Sequence, residues 1–206
     1  MIYDGIIFDL DGTLWDSTKE VLIAWDHVLH QMPDIDHIPT EEDLHGVMGL
    51  GADDLTKKLF PNLSFERRME IFDTCAAYEN DYLAKHGATL YPHLIETLDT
   101  LSKEHPLFIV SNCGEGYIQT FLKAHDVEKY ITDFEYIGRT GKPKSENIKL
   151  IVERNNLQNP VYVGDTQWDC DAATAAGVPF IFAAYGFGSV LDKPTIHDFS
   201  ELLPLV

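Results

Sequence analysis

Positive charge is scarce in this 206-residue chain: 15 lysines and arginines stand against 34 acidic residues, a formal net charge of −19. A surface this acidic repels phosphodiester backbones and anionic lipid, which excludes general nucleic-acid binding and a peripheral membrane helix. Cysteine is scarce as well. Cys75, Cys113 and Cys170 are odd in number, widely spaced and without a C-x-x-C pair, so neither a disulfide framework nor a zinc site is expected, only buried thiols. Long hydrophobic runs are missing. Ile6–Phe8 is too short for a signal segment, and nothing approaches the ~20 apolar residues of a membrane span; a cytoplasmic location is the expectation. What is present is 45% apolar and 11% aromatic residues. That composition lies outside the range of disordered chains, and the length supports one large or two small domains with a real core.

The apolar residues fall into short runs. Residues 5–10 read as a strand buried on both faces of a parallel sheet, and similar runs recur at Leu107–Val110, Phe134–Ile137, Val161–Val163 and Phe180–Ala183. Between them, Leu94, Leu98 and Leu101 predict one amphipathic helix, and Ile118, Phe121 and Leu122 a second. Ile148, Ile151 and Val152 predict a third, with Ser145 as its expected N-cap. Strands alternating with helices imply an α/β fold with a parallel, Rossmann-like sheet and right-handed crossovers. One interval, residues 16–86, breaks the alternation. Ser17–Glu20 has the form of a capping box ahead of Val21, Leu22, Trp25, Val28 and Leu29; Thr40–Asp43 opens a second helix; Phe65, Met69, Phe72, Ala76 and Leu83 mark a long third. An all-helical subdomain is therefore expected over 16–86, inserted into a core made of 1–15 and 87–206.

In open α/β sheets ligands sit beyond the carboxyl ends of the strands. There the chain places Asp9-Leu10-Asp11-Gly12-Thr13, Ser111-Asn112 and Gly164-Asp165-Thr166-Gln167-Trp168-Asp169, with Gly141-Lys142-Pro143-Lys144 just before the third core helix. Crowded carboxylates repel one another, and a hard cation relieves that repulsion; Mg²⁺ suits a few carboxylates plus substrate phosphate. Asp9 and Asp11 offer a nucleophile and a proton carrier, Ser111 a hydroxyl for phosphoryl oxygens, and Lys142 a compact positive charge.

These segments resemble the motifs of the haloacid dehalogenase superfamily. Asp9-x-Asp11-Gly12-Thr13-Leu14 is similar to its first motif, Ser111-Asn112 to its second, Lys142-Pro143 to its third and Gly164-Asp165-x-x-x-Asp169 to its fourth. All four stand in the family's order across essentially the whole chain. The helical insert resembles the family's cap, and Leu90-Tyr91-Pro92 resembles the re-entry segment of phosphoglycolate-phosphatase-like members. The resemblance implies a Mg²⁺-dependent phosphatase. Asp9 would attack phosphorus and become an aspartyl phosphate. Asp11 would protonate the leaving group and then deprotonate the incoming water. Asp9, the Asp11 carbonyl and Asp165 would hold Mg²⁺, with Asp169 close by. Ser111, Asn112 and Lys142 would bind the phosphoryl group; Lys142 is preferred to Lys144 because it directly precedes proline, as in the family.

Competing readings meet specific objections. A calcium loop from Asp9 to Glu20 has its glycine at position four, not six, and follows a strand. Gly49-Leu-Gly51 and Gly186-Phe-Gly188 do not complete a nucleotide-binding loop and are expected to be turns. Dehalogenases in the resembled superfamily lack an acid at the Asp11 position, and phosphonate hydrolysis would need a cap lysine that Gly46–Asp54 does not contain. Receiver domains carry their phosphorylated aspartate at the end of the third strand, where this chain has Gly138 and Arg139. A sugar-phosphate mutase and a catalytically idle phosphate-binding member share every core motif and stay open. The insert itself carries six basic and 15 acidic residues, which disfavours bisphosphates and points to a small phosphorylated metabolite. The exact substrate and the oligomeric state have no signature.

Overall fold

A computed structural model describes residues 3–206. Its core is a six-stranded, all-parallel sheet. In chain order the strands are β1 (Gly5–Phe8), β4 (Leu107–Ser111), β5 (Ile131–Tyr136), β6 (Pro160–Gly164), β7 (Phe180–Ala183) and β8 (Thr195–Ile196). A separate antiparallel ribbon joins β2 (Trp15–Asp16) to β3 (Thr89–Leu90). The strand order across the main sheet is β5-β4-β1-β6-β7-β8.

The apolar runs are continuous because both faces of the sheet are covered. Successive side chains point to opposite faces, and the contacts follow that rule. Ile6 and Phe8 of β1, Leu107 and Ile109 of β4, and Val161 and Val163 of β6 pack with helices α5 (Leu94–Leu101) and α6 (Tyr117–Ala124). Ile7, Phe108, Val110 and Tyr162 face the other way, onto α8 (Lys144–Arg154) and α9 (Gln167–Ala176). The result is a three-layer α/β sandwich of Rossmann-like type. The strand expected at Phe134–Ile137 runs earlier, and Ile137–Thr140 instead forms a single helical turn, α7.

Between the two strands of the ribbon, the chain forms four helices: α1 (Thr18–Leu29), α2 (Glu41–His45), α3 (Ala52–Leu59) and α4 (Phe65–His86). They share a hydrophobic cluster of their own, built on Trp25, Leu29, Leu44, Ile71 and Cys75. Thr40 and Asp43 form a reciprocal capping box at the start of α2. The box expected from Ser17 and Glu20 does not form: Ser17 makes no side-chain cap bond and donates its hydroxyl to Asp11 instead. Ser145 is also not a cap, because Pro143 takes that position and α8 begins at Lys144. Phe65, expected on the apolar stripe of α4, is exposed; the buried stripe is Ile71, Cys75, Glu79 and Leu83. Cys75 and Cys170 are buried and Cys113 half-buried, all as free thiols. Among the described residues no helix is long and apolar enough to cross a membrane.

Candidate active site

β1 ends at Phe8, so Asp9 is the first residue past the sheet edge, and it is buried. β6 ends at Gly164, delivering Asp165 to the same edge, and Asp169 sits in the first turn of α9. Asp9, Asp165 and Asp169 each offer one carboxylate oxygen within 4.8 Å of the others, and all three are buried. Burial, with the neighbouring charge of Asp169, pushes the Asp9 carboxyl up to about 7. Burial, then Asp169 and Asp9, holds Asp165 well above the ordinary carboxylate range. Asp9 and Asp165, both pushed towards their protonated forms beside a third carboxyl, are the environment a cation stabilises, and an all-oxygen donor set suits a hard divalent ion such as Mg²⁺.

The walls leave almost no slack around Asp165. Gly12 has φ +81°, and a Cβ there would lie 2.1 Å from Asp165 Oδ2. A Cβ on Gly186 would lie 2.3 Å from the Asp165 Cβ, and the next residue, Phe187, donates its backbone N–H to Asp165 Oδ2 at 2.7 Å. The Gly186-Phe-Gly188 segment, expected to be an ordinary turn, is therefore part of the site. Asp169 is fixed from its own helix: Thr166 donates its backbone N–H at 3.0 Å and its hydroxyl at 2.6 Å to Asp169 Oδ2, and the Asp169 N–H returns a bond to Thr166 Oγ1.

The lysine at the site is Lys144, which corrects the sequence expectation for Lys142. Lys144 Nζ lies 2.9 Å from Asp9 Oδ1 and 2.6 Å from Asp169 Oδ1, with its side chain buried. Burial alone would discharge it, but Asp169 and Asp9 hold its pKa well above the ordinary lysine value. Lys142 is exposed and precedes α8, whereas Lys144, Asn147, Ile148 and Ile151 share the buried face of that helix. The reason is geometric: Gly141 turns the chain at φ +65° and Pro143 caps the helix, so the first helical residue is the one aimed inward.

Asp11 is not among the clustered side chains. Its Oδ1 accepts three hydrogen bonds of 2.8 Å, from Trp15 Nε1, Ser17 Oγ and Tyr117 Oη. These donors favour the charged form, yet burial outweighs them and raises the Asp11 pKa. A carboxyl fixed through one oxygen and inclined to keep its proton is suited to acid–base work. Ser111 ends β4, buried, beside Asp9 and Asp11 on the wall of one cavity. Asn112 follows it, and its Nδ2 donates to the Gly49 carbonyl at 2.8 Å, tying the sheet edge to the segment between α2 and α3.

The cavity is bounded by the sheet edge below and by α1, α3 and α4 above. Glu79 of α4 also lines it, a residue the sequence reading passed over. Glu79 is buried, accepts the Trp25 indole N–H at 2.6 Å, and is pushed up to about 8 by burial, with a contribution from Asp11. Because its folded pKa exceeds its unfolded one, Glu79 favours folding at acid pH, and that contribution is lost as pH rises from about 4.5 towards 8. Glu79→Gln keeps an acceptor for Trp25 and removes the ionisation cost. It is expected to raise the melting temperature by several degrees at pH 8, with the gain shrinking towards pH 4.5; thermal unfolding across pH checks this.

Comparison with known proteins places the family and the fold. The sequence signature described as haloacid dehalogenase-like hydrolase matches residues 6–183. The phosphoglycolate phosphatase of Escherichia coli (strain K12) is 30% identical, the alignment covering 97% of this chain and 91% of that one. A haloacid dehalogenase-like hydrolase from Streptococcus pneumoniae superposes with a TM-score of 0.84 at 22% identity, over 98% of each chain. CbbY from Rhodobacter sphaeroides, solved with xylulose-(1,5)bisphosphate, superposes with a TM-score of 0.83 at 14% identity, over 98% of this chain and 97% of that one.

Proposed function

We propose that this chain, which belongs to the haloacid dehalogenase-like hydrolases, is a Mg²⁺-dependent phosphatase that cleaves a small phosphomonoester through an aspartyl phosphate. Residues 16–86 act as the cap over a core made of 1–15 and 87–206. The observation that carries the reading is the joint placement of Asp9, Asp165 and Asp169, with Lys144 against Asp9 and Asp169 and with Asp11 and Ser111 on the adjoining cavity wall.

Asp9 Oδ attacks phosphorus; the bond to the ester oxygen breaks, and Asp11 gives that oxygen a proton. Asp11 then takes a proton from water as the water attacks the same phosphorus, releasing phosphate and restoring Asp9. Lys144 and Ser111 bind the phosphoryl oxygens, and Asn112 holds the cap segment over them. Asp9 and Asp165, with Asp169 beside them, would hold Mg²⁺, which would supply the positive charge for a phosphate to enter a pocket of carboxylates. A mutase would need cations for a second phosphate, and among the described residues no lysine, arginine or histidine lines the cavity.

The test is steady-state phosphate release from p-nitrophenyl phosphate. Activity is expected to vanish with a chelator and return with Mg²⁺. Full activity in excess chelator, or isomerisation of a sugar phosphate without phosphate release, contradicts the proposal.

A further inference from the structure

The lining of the cavity is one-sided in charge and in hydrogen bonding. Beyond Asp9, Asp11 and Ser111, where the phosphoryl group belongs, the wall is apolar, with Trp25, Leu44, Met48 and Phe72 among its residues. Set into that wall are Glu79, Asn80 and Asn112. Each asparagine has its amide nitrogen committed to a carbonyl: Asn80 Nδ2 donates to Glu115 O at 3.0 Å, and Asn112 Nδ2 to Gly49 O at 2.8 Å. Those bonds fix the amide orientations. Asn80 Oδ1 and Asn112 Oδ1 are themselves closed off from the cavity space, so Glu79 is the group left in that wall to meet a polar ligand.

The cap's arginines do not change that balance. Arg67 pairs with Asp34 and Glu70, and Arg68 with Asp53. A leaving group with a carboxylate would be buried against two carboxyl groups, Glu79 and Asp11, in a wall whose described residues include no lysine, arginine or histidine to pair with it. Phosphoglycolate, the substrate named for the bacterial relatives, is such a compound. Size narrows the choice further. The cavity holds about 80 Å³, against roughly 150 Å³ for an engineered protein cavity that admits benzene. Only a few heavy atoms fit beside the phosphoryl group.

We propose, resting on the phosphatase reading above, that the cavity takes a short leaving group bearing a primary ammonium, so that the preferred substrate is the phosphomonoester of a small amino alcohol. An ammonium brings three N–H donors and a positive charge. The ammonium's own charge draws Glu79 into its ionised form and its N–H groups donate to that carboxylate, and the Trp25 and Phe72 rings favour a cation over an anion. Glu79 is a binding residue in this account; the reacting atoms are those of the phosphatase site.

The test compares kcat/KM for 2-aminoethyl phosphate, choline phosphate, phosphoglycolate and p-nitrophenyl phosphate, with Mg²⁺. The first is expected to exceed phosphoglycolate by about ten- to a hundredfold, and Glu79→Gln to lower that ratio at least about tenfold, mainly through KM. Met48→Arg, which places a cation in the same wall, is expected to shift the ratio towards phosphoglycolate. Hydrolysis of p-nitrophenyl phosphate with phosphoglycolate equal to or better than 2-aminoethyl phosphate overturns this proposal and leaves the phosphatase reading standing. So does choline phosphate matching 2-aminoethyl phosphate, since choline carries the charge without the N–H donors. No hydrolysis of any ester defeats the phosphatase reading itself.

Discussion

Asp9→Asn is expected to lower phosphate release by at least about four orders of magnitude, because an amide cannot form the acyl phosphate and water must then attack the ester directly. Activity loss alone would not separate chemistry from unfolding, but the electrostatics of this site do. Asp9 is buried beside Asp165 and Asp169, and Lys144 Nζ touches both Asp9 and Asp169. Removing one of three acids lifts the repulsion that raises Asp165, while Asp169 remains to pair the lysine. Asp9→Asn should therefore stay folded, with a melting temperature equal to or above that of the parent chain. An inactive variant that is also stable identifies Asp9 as the group that reacts. Residual activity above about one percent would assign the attack to water or to another group.

Lys144→Ala is expected to be the second-largest loss, about a thousandfold in kcat/KM, whereas Lys142→Ala stays within about twofold. A compact cation on phosphoryl oxygens in a site shielded from water contributes several kcal/mol to the transition state. Stability should move as well. Removing Lys144 leaves Asp9 and Asp169 without their ion-pair partner, and breaking a buried pair in this way costs about 3–5 kcal/mol. Lys142 is exposed, so its removal should leave the denaturation midpoint unchanged. Chemical denaturation with parallel activity assays, at a temperature where both variants are folded, checks the pair. Equal losses, or the larger loss at Lys142, would mean that the lysine before the proline reaches the site and that the observed placement of α8 is wrong.

The comparison of these two lysines shows what was legible in the sequence. Strand ends were readable because a doubly covered parallel strand must be apolar throughout, so the first acid after each run marks the sheet edge: Asp9 after Phe8, Asp165 after Gly164. The helical insert was readable because its apolar residues repeat at helical spacing between two runs of strand character. Which lysine enters the site depends instead on where α8 starts. The signal is present: Lys144 shares the 144, 147, 148, 151 stripe, and that periodicity outweighs the Lys142-Pro143 dipeptide. The same holds for Glu79, which lies on the 71, 75, 79, 83 stripe of α4, whereas the apolar residues Phe65 and Met69 suggest a different face. Other features had no local trace. Ser17 has the sequence of a cap, yet tertiary contact with Asp11 wins its hydroxyl. Gly186 looks like any turn glycine, and only the folded chain brings it against Asp165. β8 is only two residues long, Thr195 exposed and Ile196 buried, and so is too short to carry a pattern.

The covalent intermediate on Asp9 can be observed directly. With Asp11→Asn, the leaving group of p-nitrophenyl phosphate still departs without an acid, but the water of the second step loses its base. Acid-quenched intact-protein mass spectrometry of that variant, mixed with p-nitrophenyl phosphate and Mg²⁺, should show one added phosphoryl group. Peptide mapping should place it on Asp9, and Asp9→Asn in the same background should abolish it. Phosphate release by the Asp11→Asn variant at multiple turnovers with no adduct, or an adduct on any other residue, would contradict the account.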